Sequence, residues 1–352
     1  MKTYKLTAVA VALSTLLAAC GGGGGDSSTS SAPTSPPVST TPSTPVVTPP
    51  VVTPGNLQTS VPALTYAPTS QEFAFVTAFN DFRQKLGLGL LAQNTALDLS
   101  AQHHLQYVLT NDVNNGGTVD MSTNDPATGR SMFHIETVGK PLFTGVQEFD
   151  RAKAAGYTGV YAGEELTFGG GKGAAVAFAG IVRTVYHRYG LMFQGPTDIG
   201  VAVGQDASQT FDLEFGNTTE QSVASDYLGT YPSDKQTGVD LFAGVETPNP
   251  FPDLSTSNAD FPTKTGYPVS ISAKQGATLE VITFTLTESG AGAPLDARIL
   301  KADNDPNHYL KADAAFLVAK APLKPNTTYS VAFSGRVNNG LVSKTWTFTT
   351  GS

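Results

Sequence analysis

Between residues 70 and 220 the apolar positions recur first at helical spacing and then at every second residue. From Glu72 to Leu86, Phe75, Phe79 and Phe82 fall on one side of a helix, and Gly87-Leu88-Gly89 ends it. A second helix is predicted from Asn94, a residue type suited to an N-cap, to about Thr110, because Leu97, Ala101, His104 and Val108 repeat at intervals of four, three and four. That spacing turns His104 inward and leaves His103 in solvent. A loop rich in glycine and asparagine then leads to Phe133-His134-Ile135-Glu136, a short helix over about 146–155, and Tyr161-Ala162-Gly163-Glu164-Glu165-Leu166. Beyond the glycines at 169, 170, 171 and 173, one continuous helix is expected over 174–189, striped by Phe178, Val182, Val185 and Tyr189. Ile199, Val201 and Val203, then Phe211, Leu213 and Phe215, alternate as two antiparallel strands do. Helices followed by paired strands make this an α+β region.

Residues 228–265 are loop-rich, with Pro248, Pro250, Pro252 and Pro262, and read as an ordered connector centred on 226–254. Past it, Val269/Ile271, Ile282/Phe284/Leu286, Tyr329/Val331/Phe333 and Trp346/Phe348 alternate with polar residues, which predicts a small all-β sandwich over 255–352. Two separate cores are expected, one over 66–225 and one over 255–352.

The N-terminus adds a compartment. Lys2 and Lys5 precede an apolar run, Leu6 to Leu17, and then Leu17-Ala18-Ala19-Cys20; this resembles a bacterial lipoprotein signal, with residues 1–19 removed and Cys20 acylated. The run is too short for a permanent membrane span. Gly21 in place of an aspartate after the cysteine favours the outer membrane within the cell envelope. Cys20 is the sole cysteine, so an intrachain disulfide, a zinc-thiolate site and a cysteine nucleophile are all excluded. Residues 20–65 follow as a Gly/Ser/Thr/Pro tether, whose prolines let 27–54 reach on the order of 90 Å at about 3.1 Å per residue. The 352-residue chain carries 21 Lys+Arg against 29 Asp+Glu, a formal charge of -8, and no basic run longer than two residues. Nucleic acid, which needs a concentrated Lys/Arg surface, is thereby excluded as a partner.

The order of motifs resembles the CAP superfamily (cysteine-rich secretory, antigen 5 and pathogenesis-related proteins; the SCP domain) in its cysteine-free bacterial branch. The pieces are Ala96-Leu97, Ser100-Ala101 and His104 on the early helix, the isolated His134, Gly163-Glu164, and Thr184-Val185-Tyr186-His187-Arg188 followed by Asp198-Ile199-Gly200-Val201. They cover about residues 70–220. The resemblance implies a three-layer α-β-α sandwich with an open cleft, in which histidines and glutamates can hold a divalent metal. Carried over residue by residue, the cleft positions are His134, Glu164 and His187, with Glu136 and Glu165 as neighbours. The chain departs from the family in having Ile181 where a tryptophan is usual and Thr184 where a serine is usual, and the segment bearing a second metal histidine has no counterpart before Asp198. The ending, Leu323-Lys-Pro-Asn-Thr-Thr-Tyr329 through Trp346-Thr-Phe348, resembles bacterial immunoglobulin-like domains and implies spacing or adhesion.

Two neutral imidazoles and one carboxylate suit zinc with a fourth position open to water. The same groups would equally make a hydrogen-bonded cleft without metal. His187 could instead be a histidine at a helix C-terminus, His134 a loop histidine, His104 a satisfied core histidine, and Glu164 a buried capping acceptor. Other signatures fail: the chain lacks H-E-x-x-H and G-x-S-x-G, Gly173 stands where a Walker loop needs Ser or Thr, and Gly169-x-Gly171-x-x-Ala174 lacks the buried parallel strand a dinucleotide fingerprint follows. Asp303-x-Asp305-x-Asn307 opens like a calcium loop, but no glutamate closes it. The expected function is non-enzymatic binding of a lipid or envelope-derived ligand in a His/Glu-lined cleft. The alternatives are a metal-dependent hydrolase of peptide or cell-wall substrate and a structural adhesin.

Overall fold

Local chemistry sets the ends of the first helices in the computed structural model, which describes residues 52–255 and 259–352. The signal segment, Cys20 and the tether up to residue 51 lie outside the described residues. Helix α1 (Gln71–Leu86) starts at Ser70, whose hydroxyl accepts from the Phe73 amide at 3.1 Å, and stops at Gly87 with φ 73°, a left-handed conformation that costs glycine little. Strand β1 (Ala92–Gln93) leads into α2 (Thr95–Asn111), capped by Asn94. A 3-10 turn at Met132–His134, helix α3 (Glu148–Ala154) and strand β2 (Ala162–Phe168) follow.

The helix expected over 174–189 is two helices, α4 (Ala174–Val182) and α5 (Tyr186–Leu191). The Thr184 hydroxyl donates to the Ile181 carbonyl at 2.7 Å, and the Glu246 carboxylate accepts from the amides of Val185 at 2.6 Å and Tyr186 at 2.8 Å. A carboxylate from 60 residues downstream thus takes the donors that would have continued the first helix. His187 accordingly sits in the first turn of α5 and is not a C-terminal histidine.

Strands β3 (Asp198–Val203) and β4 (Thr210–Gly216) pair antiparallel as expected, and the first sheet runs β1-β3-β4-β2. Helices cover it on two sides. α2 lies on β3 and β4 and α3 on β2, while α1 and α4 pack on the opposite face. Gly200 permits the close approach of α2, since a Cβ there would stand 2.2 Å from the backbone of Leu97 and Asp98. On the α1 side the core is aromatic: Phe75 packs edge-on to Phe178 with ring centroids 5.5 Å apart and stacks on Phe211 at 5.2 Å.

The second half contains β5 (Leu228–Tyr231), β6 (Gln236–Val239), a short helix α6 (Phe261–Lys264), β7 (Val269–Ala273), β8 (Leu279–Glu288), β9 (Ala297–Lys301), β10 (Ala314–Ala319), β11 (Thr328–Val337) and β12 (Gly340–Thr350). They form two four-stranded sheets, β5-β7-β10-β9 and β6-β12-β11-β8. The residues read as a connector therefore supply one strand to each sheet.

The two expected cores are joined. One continuous set of buried side chains runs from Phe75 to Phe348, and the described residues form a single compact unit. The reason lies in β7 and β10, whose residues are buried on both faces. A strand covered on one side alternates, whereas Ala-Ala-Phe-Leu-Val-Ala in β10 is apolar throughout, as a strand covered on two sides must be. Arg188 of α5 marks the junction: its guanidinium stands 5.1, 4.8 and 5.9 Å from the rings of Tyr231, Tyr267 and Phe316 and donates to the Pro268 carbonyl at 2.5 Å. The calcium-like loop also serves this junction. Asp305 accepts from the Tyr186 hydroxyl and from the amides of Asn307, Tyr309 and Leu310 at 3.1, 2.7 and 2.8 Å, so its oxygens are taken up in closing the turn.

Candidate functional site

Successive residues of a strand face opposite sides of the sheet, and on β2 that rule separates two glutamates. Glu164 pairs in register with Glu214 of β4, and Leu166 with Asp212, which puts Glu164, Asp212 and Glu214 on the face covered by α2 and α3. Glu165 faces the other way: a Cβ at Gly190 of α5 would come within 2.5 Å of its Oε1. β2 is an edge strand, and the 3-10 turn carrying His134 lies beside it.

The Glu164 carboxylate joins several segments. Its Oε1 meets His134 Nδ1 at 2.8 Å and its Oε2 is paired with Arg151 of α3, while Arg151 Nη1 also donates to the His134 carbonyl at 3.2 Å. Burial opposes ionisation of Glu164, but the Arg151 guanidinium, followed by His104 and His134, outweighs it and holds the carboxyl well below the usual carboxylate range. The His134 side chain keeps 25% of its surface exposed, so the Glu164 pair reaches solvent through one imidazole.

His104 is wholly buried, as its spacing predicts. Its Nδ1 lies 3.0 Å from Glu136 Oε1 and its Nε2 lies 2.8 Å from the Phe133 carbonyl. A carbonyl oxygen cannot donate, so Nε2 carries a proton in this arrangement. Glu136, expected to line the cleft, is buried and instead closes the following loop, accepting from the amides of Thr144 at 2.6 Å and Gly145 at 3.3 Å.

Deeper on the same face, Asp212 and Glu214 are buried beneath α2. Ser100 donates to Glu214 Oε1 at 2.7 Å, whereas Glu214 Oε2 and both Asp212 oxygens have no partner among the described residues. Burial, then the charges of Glu164 and Glu214, push the Asp212 carboxyl far up against the opposing pull of Arg151; burial and Glu164 do the same to Glu214. One atom each from His104, Glu164 and Asp212 lies within 4.8 Å of the others, so among the described residues this is the group able to hold a metal ion. One imidazole and two carboxylates are within zinc's usual donors, and the unpartnered Asp212 oxygens fit a missing cation.

His187 takes a different partner from the one expected. Its Nδ1 lies 3.0 Å from Glu246 Oε2. Burial lowers its pKa, but the Glu246 hydrogen bond and the charges of Glu165 and Glu246 prevail and raise it to about 9. Burial raises the Glu165 carboxyl, with His187 and then His134 opposing. Of the three carried-over positions, then, His134 and Glu164 meet directly, and His187 couples through Glu165 and Glu246. Asp212, Glu214, Arg151 and Glu246 were not singled out from the sequence. The alternation of β4 reads Thr210, Asp212 and Glu214 as a solvent face, and the one available signal was that α2 presents small and polar residues, Ser100 and His104, towards that strand.

No family model matches the sequence, and no curated protein matches it. Among solved structures, an extracellular protein containing an SCP domain from Bacillus anthracis is similar at 18% identity and TM-score 0.30, over 42% of this chain and 40% of that protein. An outer surface protein from Borrelia burgdorferi is similar at 14% identity and TM-score 0.32, over 43% of this chain and 96% of its own length. The chain thus spans less than half of the Bacillus protein it resembles.

Proposed function

We propose that this chain is a cell-envelope lipoprotein, anchored in the outer membrane through acylated Cys20, that binds a lipid or envelope-derived apolar ligand at the His134–Glu164 edge. In this reading residues 66–225 form a CAP (SCP) sandwich bearing the site, and the two sheets built from β5 to β12 an Ig-like sandwich, joined to it through a shared core, that supports it. The observation that carries the reading is where the exposed apolar side chains lie. Of the 14 large hydrophobic residues most exposed among the described residues, 7 fall between Val138 and Phe168. That stretch also carries Glu164 and begins four residues after His134. Phe133 and Phe168 pack edge to face with ring centroids 5.8 Å apart, and Arg130 pairs with Glu148 at 2.9 Å, which ties these loops to one another beside β2. Exposed apolar side chains gathered around a polar centre are a mark of a ligand or interaction surface. Peptide or cell-wall hydrolysis and a structural adhesin are the alternatives. Hydrolysis would require His187 to share a water with His134, and the hydrogen bond of His187 to Glu246 favours the binding reading.

The test is mass spectrometry of lipid extracted from the purified full chain, with a fluorescent fatty-acyl probe for affinity. Lipid should co-purify, and Phe168→Ser with Tyr161→Ser should weaken probe binding about tenfold or more, since each buried aromatic contributes about 1.5–3 kcal/mol. Absence of lipid together with equal affinity of the double variant sinks the reading. The anchor is tested by detergent partitioning of Cys20→Ser, which should leave the detergent phase.

A further inference from the structure

We infer that the chamber between β4 and α2 binds one divalent cation of the zinc type, held by His104, Glu164 and Asp212 with the Phe133 carbonyl as a further ligand. The site lies on the face of the sheet away from Glu165; it shares Glu164 with the ligand edge proposed above, through Oε2 where that edge has Oε1 on His134, and it does not rest on that reading.

Three observations carry it. The first is charge. Glu136, Glu164, Asp212 and Glu214 are all buried there, against the Arg151 guanidinium and the His104 imidazole. With Glu136, Glu164 and Asp212 ionised, Glu214 protonated as its burial favours, and His104 neutral with its proton on Nδ1 towards Glu136, as a ligand must be, the chamber holds two excess negative charges, which a dry interior does not tolerate uncompensated. One divalent cation matches that deficit. The second is the state of Asp212, fully buried with neither oxygen hydrogen-bonded among the described residues. The third is spacing. His104 Nε2 stands 2.8 Å from the Phe133 carbonyl oxygen and 3.6 Å from Glu164 Oε2. Neighbouring ligands at about 2.1 Å from one zinc ion are about 3.0–3.4 Å apart, so these separations bracket a shared coordination shell. The ion takes the place of the Nε2 proton, which is released, and the Phe133 carbonyl then faces the ion instead of that proton. Arg151 occupies one lone pair of Glu164 Oε2 and leaves the other for the metal. A site so enclosed keeps no room for substrate, and its role is structural.

The full chain, unfolded in chelator and refolded with or without zinc, provides the test. One zinc per chain is expected by elemental analysis, with a higher Tm for the zinc-refolded protein. Asp212→Asn should lose that Tm gain and bind at least about tenfold more weakly, while His187→Ala should bind within about twofold of the parent. X-ray absorption on the zinc-loaded parent needs no variant and should show an oxygen/nitrogen shell with one imidazole. Two imidazoles in that shell, or loss of zinc in His187→Ala and not in Asp212→Asn, would place the ion elsewhere and overturn the assignment. A refolded chain with no bound zinc and no Tm gain would overturn it as well, leaving protons to neutralise Asp212 and Glu214.

Discussion

The two faces of the first sheet are built from alternate residues of the same strand, Thr-Phe-Asp-Leu-Glu-Phe-Gly in β4, and they are stabilised by different physics. Phe211, Leu213 and Phe215 enter an aromatic layer with Phe75 and Phe178, where contact area and ring geometry suffice. Asp212 and Glu214 enter a layer equally closed to water, where each carboxyl needs a hydrogen bond, a counter-charge or a proton. Burial alone therefore says nothing about how a face is held together. The polar face depends on a few specific partners, and the aromatic face spreads its stabilisation over many contacts.

That contrast can be broken most sharply at Arg151. Replacing it by methionine keeps an unbranched stem, removes the guanidinium and strands Glu164 among other carboxyls, and removal of one partner from a buried ion pair costs about 3–5 kcal/mol. Urea unfolding measures the loss. If Arg151→Met costs no more than a conservative change on the aromatic face, the polar face is not held by charge pairing.

The aromatic side has an ionic exception at its rim, where Glu246 caps α5 and bonds His187. Glu246→Gln should cost about 2 kcal/mol, the scale of a hydrogen bond to a charged group together with a helix cap. The pH dependence has a definite sign. His187 is raised from 6.5 to about 9, so its contribution is fully present below about 6.5 and is lost as pH rises through about 9. Chemical denaturation across that window should show the parent weakening relative to Glu246→Gln. Parallel curves for the two proteins would show that the His187 pair carries none of the linkage.

The smallest expected effect is Phe211→Leu, about 1–2 kcal/mol from one lost aromatic volume, unchanged between pH 5 and 9 because no titratable group shares that contact. A pH-dependent loss there would mean that the two faces are coupled through the strand.

The helices of the first half were legible because their signals are local. Ser70, Gly87 and Asn94 act within three or four residues of themselves, and the four-three-four spacing of α2 is enough to turn His104 inward. Strands β3 and β4 were legible for the same reason, through period-two alternation. The division of α4 from α5 was not, because the group that ends one helix and caps the next is Glu246, which the chain supplies from another segment. His134 and Glu164 entered through resemblance to a family, and the hydrogen bond between them joins segments 30 residues apart, which no local signal could have shown.

What the sequence determined by itself is the helices and paired strands of the first half that carry local signals, the inward direction of His104, and a thiol chemistry confined to Cys20. What the tertiary structure alone decided is which faces are closed to water. Alternating polar residues look the same in a sequence whether solvent or a second helix layer covers them, so only the packing of α2 decides that Asp212 and Glu214 are closed to water. The apolar run of β10 calls for cover on both faces, and the tertiary structure decided that α5, through Arg188, helps to supply it by packing against the β5-β7-β10-β9 sheet. Free energies of charge and burial depend on the surrounding medium, and the medium of a side chain is set by residues far from it in sequence.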